Sequence, residues 1–377
     1  MNQPVAPAAS RPMHGFPFER VCLPSRAAAA GLLPGLLLFL LATAGRADDT
    51  VVLTDGNRVR GSIVSLAPDS VEIESRSGIE KLSITEIQEV MLDGEPESLA
   101  SARTLLLRRD PQGAIEELAK LEPADIKDAE PRIREEHAFL KVATAAGAAT
   151  AADGAAAGQA LTEFLTRNAR SHHFFEGQEI LGDLYAKMGK YAEAAAAYGA
   201  LDRGPSALRI RSAASKARLL LEQGKPADAI KEFEAATKIP TEAGDSASAA
   251  QKGEARLGMA RCMARTGKAA DGVKVARTAI QEADPGDRDL LAAAFATLGE
   301  CQRAAGGKDD DALISFLTVD LVYNTVPERH AEALYNLVEL WEATKQPERA
   351  REARQALVTT YPESPWTKKL GGGGKPS

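Results

Sequence analysis

The chain has 377 residues, 44% apolar and only 5% aromatic, with a formal net charge of −7 and three cysteines. Its length suits two or three ordinary domains or one long repeat array, and the apolar share is enough for a true core. The acidic balance excludes nucleic acid as an expected partner, and the scarcity of cysteine excludes a disulfide-stapled scaffold.

Residues 1–47 read as a signal peptide. Arg11, Arg20 and Arg26 precede an uncharged, Leu-rich stretch from Ala27 to Ala44, and small residues around Ala44 and Ala47 suit a signal peptidase. A retained anchor is the alternative, because the stretch is near the minimum spanning length. Gly31, Pro34 and Gly35 weaken a spanning helix. Cleavage would place the protein in the periplasm or cell envelope, and membrane contact is expected only if the segment is retained. The remaining chain carries 42 basic and 52 acidic residues, a net of about −10.

Residues 48–95 read as a small acidic β-domain of about five strands. Val59, Gly61 and Ile63 alternate with Arg58, Arg60 and Ser62, and Val71 and Ile73 alternate with Ser70, Glu72 and Glu74. That period of two puts one apolar face on a pleated sheet. Asp55-Gly56 predicts a tight two-residue hairpin, and Pro68-Asp69 and Ser77-Gly78 mark two further reversals. The pattern Val52-Leu53-Thr54-Asp55-Gly56 followed by Gly61 and a Thr85-Glu86-Ile87 corner resembles small SH3-like or Sm-like barrels. That resemblance implies a closed five-stranded barrel with ring formation or RNA binding. With 4 basic residues against 11 acidic ones, this segment fits a docking role better than RNA. So small a sheet has little core of its own and is expected to pack on the first helices.

From Leu99 the apolar period becomes helical. Leu181-Gly182-x2-Tyr185, then Gly189-Lys190-Tyr191, then Ala194-x3-Tyr198 resembles the tetratricopeptide repeat. Gln178 stands where that family has Trp. A twelve-residue interval between small residues recurs at Ala102 and Ala114, Gly182 and Ala194, Ala217 and Ala229, and Ala260 and Gly272. Val338 and Ala350 repeat it, and Gly299 and Ala312 lengthen it by one. Phe233 and Phe316 follow Ala229 and Ala312 by four, and Pro240 and Pro362 close units. The second-helix markers 194, 229, 272, 312 and 350 step by 35, 43, 40 and 38 residues. Loops inserted into a repeat of about 34 account for the excess, notably 241–249. A generic Ala-rich bundle would not keep the interval. Residues 96–367 are therefore expected to form a mainly α solenoid of about seven hairpins, with an Ala/Gly-rich connection near Gly147–Gly158. Residues 368–377 read as a flexible tail.

Catalytic, cofactor and metal residues are not expected. Beyond residue 47 the histidines are His137, His172, His173 and His330, none in a His-x3-His, Glu-x2-His or Cys-x2-Cys arrangement. His172 and His173 would point to different faces of a helix, and they read as surface or half-buried. Catalysis would need a polar pocket where sheet and helices meet, and no motif predicts one. Cys262 and Cys301 hold equivalent places in successive repeats. First helices about 8–10 Å apart hold them beyond the ~7 Å a bridge allows, so two buried thiols are expected.

The tetratricopeptide resemblance implies a concave groove lined by the first helices, receiving a partner's peptide or helix. The residues after each first-helix marker, Asp183, Arg218, Arg261, Glu300 and Glu339, would face it, with Arg211, Arg265, Arg303 and Tyr335 nearby. The Lys and Asn set of carboxylate-gripping members is absent. The expected binding residues are thus Arg211, Arg218, Arg261, Arg265, Arg303 and Tyr335, taking an acidic or C-terminal segment. The function expected is a non-enzymatic, exported protein–protein interaction scaffold. The alternative is a self-assembling envelope protein using the β-domain for homotypic contacts.

Overall fold

The computed structural model describes residues 48–150, 152–306 and 309–372. The expected signal peptide lies outside them. Five strands open this region: β1 (Asp49–Leu53), β2 (Arg58–Leu66), β3 (Ser70–Ser75), β4 (Gly78–Ser83) and β5 (Ile87–Met91). They form one antiparallel sheet in the order β4-β3-β2-β1-β5. In the register, β1 pairs Val51 with Val59 of β2 and with Val90 of β5. Gly61 faces the backbone of β3 so closely that a Cβ there would lie 2.1 Å from the Glu74 carbonyl oxygen. No larger residue fits that crossing.

Two expectations are corrected here. The Asp55-Gly56 hairpin is a three-residue loop, closed by the Leu53 amide donating to the Asn57 carbonyl. Only Gly56 takes a left-handed φ, of +85°, and Asp55 instead accepts from the Asn57 amide at 2.9 Å. An Asp side chain that can bond two residues ahead favours this wider turn. Nor do the strands close into a barrel: β4 and β5 remain separate edges. Closure is unnecessary because helices cover the apolar face. Val51, Val71 and Ile73 share one core with Leu99, Ile133, Phe139 and Leu140.

The remainder is helical. Seven hairpins follow: α1 (Glu97–Leu107) with α2 (Pro111–Leu118); after a short α3 (Pro123–Lys127), α4 (Pro131–Ala148) with α5 (Gly154–Arg167); and α6 (Phe174–Lys187) with α7 (Tyr191–Gly199). Then come α8 (Ser206–Glu222) with α9 (Pro226–Lys238), α10 (Ser246–Arg265) with α11 (Ala269–Glu282), and α12 (Arg288–Ala304) with α13 (Asp309–Val322). The last pair is α14 (Pro327–Ala343) with α15 (Pro347–Thr360), followed by α16 (Pro365–Gly372). Among the described residues no helix is long and apolar enough to cross a membrane.

One turn recurs inside these hairpins. Each first helix except α4 ends on a left-handed residue: Arg109, Gly189, Gly224, Gly267, Gly306 and Lys345. In five of them the next amide donates to the carbonyl five residues back, as Lys190 does to Tyr185 and Gln346 to Trp341, both at 2.8 Å. That bond satisfies carbonyls the helix end leaves free. The marker small residues are all buried, and aromatic rings fill the space beside Gly182 and Gly299, whereas Gly272 faces the Ala260 carbonyl and the Cys301 sulfur. A Cβ on Gly182 would lie 2.5 Å from the Tyr198 ring, and one on Gly299 would lie 2.7 Å from Phe316. Phe233 reaches forward, into the next hairpin, against Gly258.

Three boundaries differ from expectation. Gly154 and Gly158 are not loop but helix α5, packed against Leu184 and Tyr185 of α6 and against Met188 just after it. Ser246 to Ala249 form the first turn of α10, because the Asp245 carboxylate caps it by accepting from the Ser248 amide at 2.8 Å. Residues 368–372 belong to α16, where Trp366 packs 5.3 Å from the ring of Tyr335.

Candidate functional site

Successive first helices pack on one another along α8, α10, α12 and α14, whereas second helices pack mainly on the first helices before and after them. The first helices are therefore the inner layer. Arg261 of α10 lies 3.6 Å from Glu332 of α14, across the intervening α12.

The six expected binding residues do not share one environment. Arg211 (α8) is paired with Glu179 (α6) at 3.0 Å. Arg261 meets Glu300 (α12) at 3.1 Å as well as Glu332. Arg303 (α12) bonds Asn336 at 2.6 Å and Glu339 at 3.0 Å, both on α14. Tyr335 is buried, donates its hydroxyl to Glu339 at 2.5 Å, and lies under Lys369 of α16. These four residues knit neighbouring repeats together. Arg218 and Arg265 are different: both are exposed, and among the described residues no carboxylate lies within ion-pair distance of either. The adjacent helices α8 and α10 thus each carry one exposed guanidinium group with no carboxylate partner.

Charge inside this layer is tightly balanced. Burial pushes the Glu300 carboxyl up, Arg261 opposes this and Glu332 reinforces it, leaving it near about 7. Glu332 is also buried, but Arg261 and Arg329, the latter 2.8 Å away, hold it below the usual carboxylate range. Cys262 and Cys301 are free and buried, as expected, and burial pushes their thiols up to about 11 and about 12.

A second polar site lies where the sheet meets the helices, around a cavity of about 280 Å³ lined in part by Thr85, Arg103, Glu136, His172, His173 and Arg211. Sequence reasoning missed it. Glu136 of α4 is 1% exposed and accepts from Arg103 Nε at 2.7 Å through Oε1. Arg103 also binds Glu95 with two nitrogens and stands 3.5 Å from Glu89 of β5. The other Glu136 oxygen, Oε2, is 2.7 Å from His173 Nε2. His173 Nδ1 is held by Glu176 at 3.1 Å, and Phe139 stacks on the imidazole with centroids 3.8 Å apart. Burial pulls the His173 ring down, yet Glu136 and Glu176 overrule it and raise it to about 9.

The two histidines were expected to be surface or half-buried and to point to different faces. Instead His173 is buried, His172 is nearly so, and their rings lie 3.8 Å apart. They precede α6, in a turn where adjacent side chains are free to converge. His172 keeps only 10% of its side chain exposed, and neither ring nitrogen has a hydrogen-bond partner. Burial, with the neighbouring His173 charge, pushes it down to about 3.

Residues 332–364 match the tetratricopeptide repeat family. The chain is also similar to the apo form of RapI, with a TM-score of 0.50, 10% identity, and coverage of 73% of this chain and 79% of that one. The fold is a tetratricopeptide-type helical repeat. A Rap protein complexed with Competence and Sporulation Factor gives a TM-score of 0.48 at 13% identity, covering 72% and 77% of the two chains. A tetratricopeptide repeat protein from Parabacteroides merdae gives 0.47 at 16% identity, covering 73% and 96%. The sequence matches none of the curated proteins.

Proposed function

We propose that this protein is a non-enzymatic interaction scaffold whose concave inner layer receives an acidic segment of a protein partner. One observation carries the reading: Arg218 and Arg265 stand exposed and without a carboxylate partner on adjacent first helices, whereas Arg211, Arg261 and Arg303 of the same layer are neutralised from within. Free guanidinium groups in a concave face suit bidentate capture of carboxylates. The signal-like leader at 1–47 supports export, so the partner is sought among proteins of the periplasm or cell envelope.

The test is the double variant Arg218→Glu with Arg265→Glu, compared with the parent by affinity purification from envelopes. Neither residue holds an ion pair, so the fold should persist. A partner retained by the parent and lost by the variant supports the reading, and an unchanged set of partners removes the groove from consideration. Arg261→Glu is unsuitable, because it would set a third carboxylate beside Glu300 and Glu332.

Self-assembly through the β-domain keeps one observation in its favour: β4 is a free edge carrying Ile79, 63% exposed. An unpaired strand edge is a template for another copy. Light scattering of the parent and Ile79→Lys decides it: an oligomer that the substitution dissolves supports self-assembly, and a monomer in both rejects it.

A further inference from the structure

We propose that Glu136, His172 and His173 form a binding site for a divalent transition-metal ion, with zinc as its natural probe. The three side chains come from α4 and from the turn before α6, and one ligand atom of each lies within 4.8 Å of the others. Two imidazoles and one carboxylate select borderline ions over magnesium or calcium, which prefer oxygen alone.

The surroundings are those of a built site. Glu136 has one oxygen engaged by Arg103 and presents the other, Oε2, to His173 at 2.7 Å and to His172 Nε2 at 3.9 Å. Ligand atoms around a tetrahedral zinc stand about 3.3 Å apart, as bond lengths near 2.0–2.2 Å require. Shifts of roughly half an ångström bring the two carboxylate–imidazole distances to that value, and the two imidazole nitrogens, within 4.8 Å of each other, close by up to ~1.5 Å more. Glu176 holds His173 Nδ1, which leaves Nε2 aimed inward. A carboxylate behind a ligating histidine is the usual outer support of such sites. Phe139 fixes the plane of the same ring.

His172 supplies the independent observation. A buried ring with no partner for either nitrogen carries a desolvation penalty that an ion pair between Glu136 and His173 alone leaves unexplained. An ion would use that nitrogen. Charge agrees. Glu89, Glu95 and Glu136 surround one guanidinium, Arg103, and Glu176 stands on the far side of His173, so carboxylates outnumber the fixed cation where the dication would sit. The adjoining cavity leaves room for water or a fourth ligand.

The experiment uses the full chain, stripped with chelator and titrated with zinc by calorimetry and with cobalt by visible absorption. One equivalent should bind, with cobalt bands of a low-coordinate nitrogen and oxygen set. His172→Phe should weaken zinc at least ~100-fold and remove those bands, as loss of a ligand exceeds the 10–100-fold effect of outer-shell changes. Its thermal unfolding should be unchanged, since the ring it replaces makes no hydrogen bond. Glu176→Gln should weaken zinc about tenfold. Absence of saturable zinc binding by the parent, or binding that survives His172→Phe but is lost in His330→Ala, overturns the assignment. If His172→Phe fails to fold, the parent titration and Glu176→Gln still decide it.

Discussion

Lys345 occupies a backbone conformation that four of the equivalent turns give to glycine. Its φ is +60°, and Arg109 stands at +61°. A side chain there crowds the following carbonyl. Lys345→Gly should therefore stabilise the chain by about 0.5–1 kcal/mol, part of the relief being offset by a more flexible unfolded state. The check is a chemical unfolding curve, whose midpoint should rise at constant slope. The same scale shows what local patterns can and cannot reveal. Gly267 and Gly189 announce their turns by residue type, but Lys345 does not. Glu136 and His173 are 37 positions apart, and no periodicity connects a mid-helix carboxylate to a turn in the next hairpin. The apparent basic patch had the opposite weakness. Arg211, Arg261 and Arg303 are legible as groove residues, but their carboxylate partners lie 32 to 71 positions away, so neutralisation was invisible.

Between elements, the inner layer is held by buried charge as well as by glycine–aromatic packing. Glu300 of α12 sits between Arg261 of α10 and Glu332 of α14 with its carboxyl raised to about 7. The fold therefore favours its protonated form. The stability this adds is complete below the ordinary carboxylate range and is lost as pH rises through about 7. Between pH 5 and pH 8 the parent should lose more melting temperature than Glu300→Gln, by a few degrees, and equal losses would remove Glu300 as the cause. Element type was largely legible. Small-residue spacing of twelve, or thirteen at Gly299 and Ala312, found six of the seven hairpins, because the close crossing of two helices constrains residue size directly; α4 with α5 was read only from the Ala/Gly-rich connection between them. Alternation found the strands but not their closure, since a sheet whose apolar face is covered by helices reads the same as one that curls on itself.

At the scale of the molecule, the sheet and the first hairpins are one folding unit. Val51, Val71 and Val90 share a core with Leu99, Ile133, Phe139 and Leu161. Asp49 adds a polar tie: it accepts from the amides of Ile63 and Asp93, each at 2.9 Å, and from Arg132 of α4 at 2.6 Å. Deleting residues 48–95 should abolish amide-exchange protection through α1–α5 and leave α12–α15 protected, because repeat arrays transmit stability mainly between neighbours. Protection of α4 that survives the deletion would show the sheet to be dispensable.

The inner helices grip one another while the outer helices stand as separate ribs. Flexing such an array costs little on its convex side, where the ribs can fan like the pages of a bent book. Ion pairs tie its inner side from α6 to α8 and among α10, α12 and α14, so curvature and charge are mechanically linked there: neutralising those pairs would let the spine straighten.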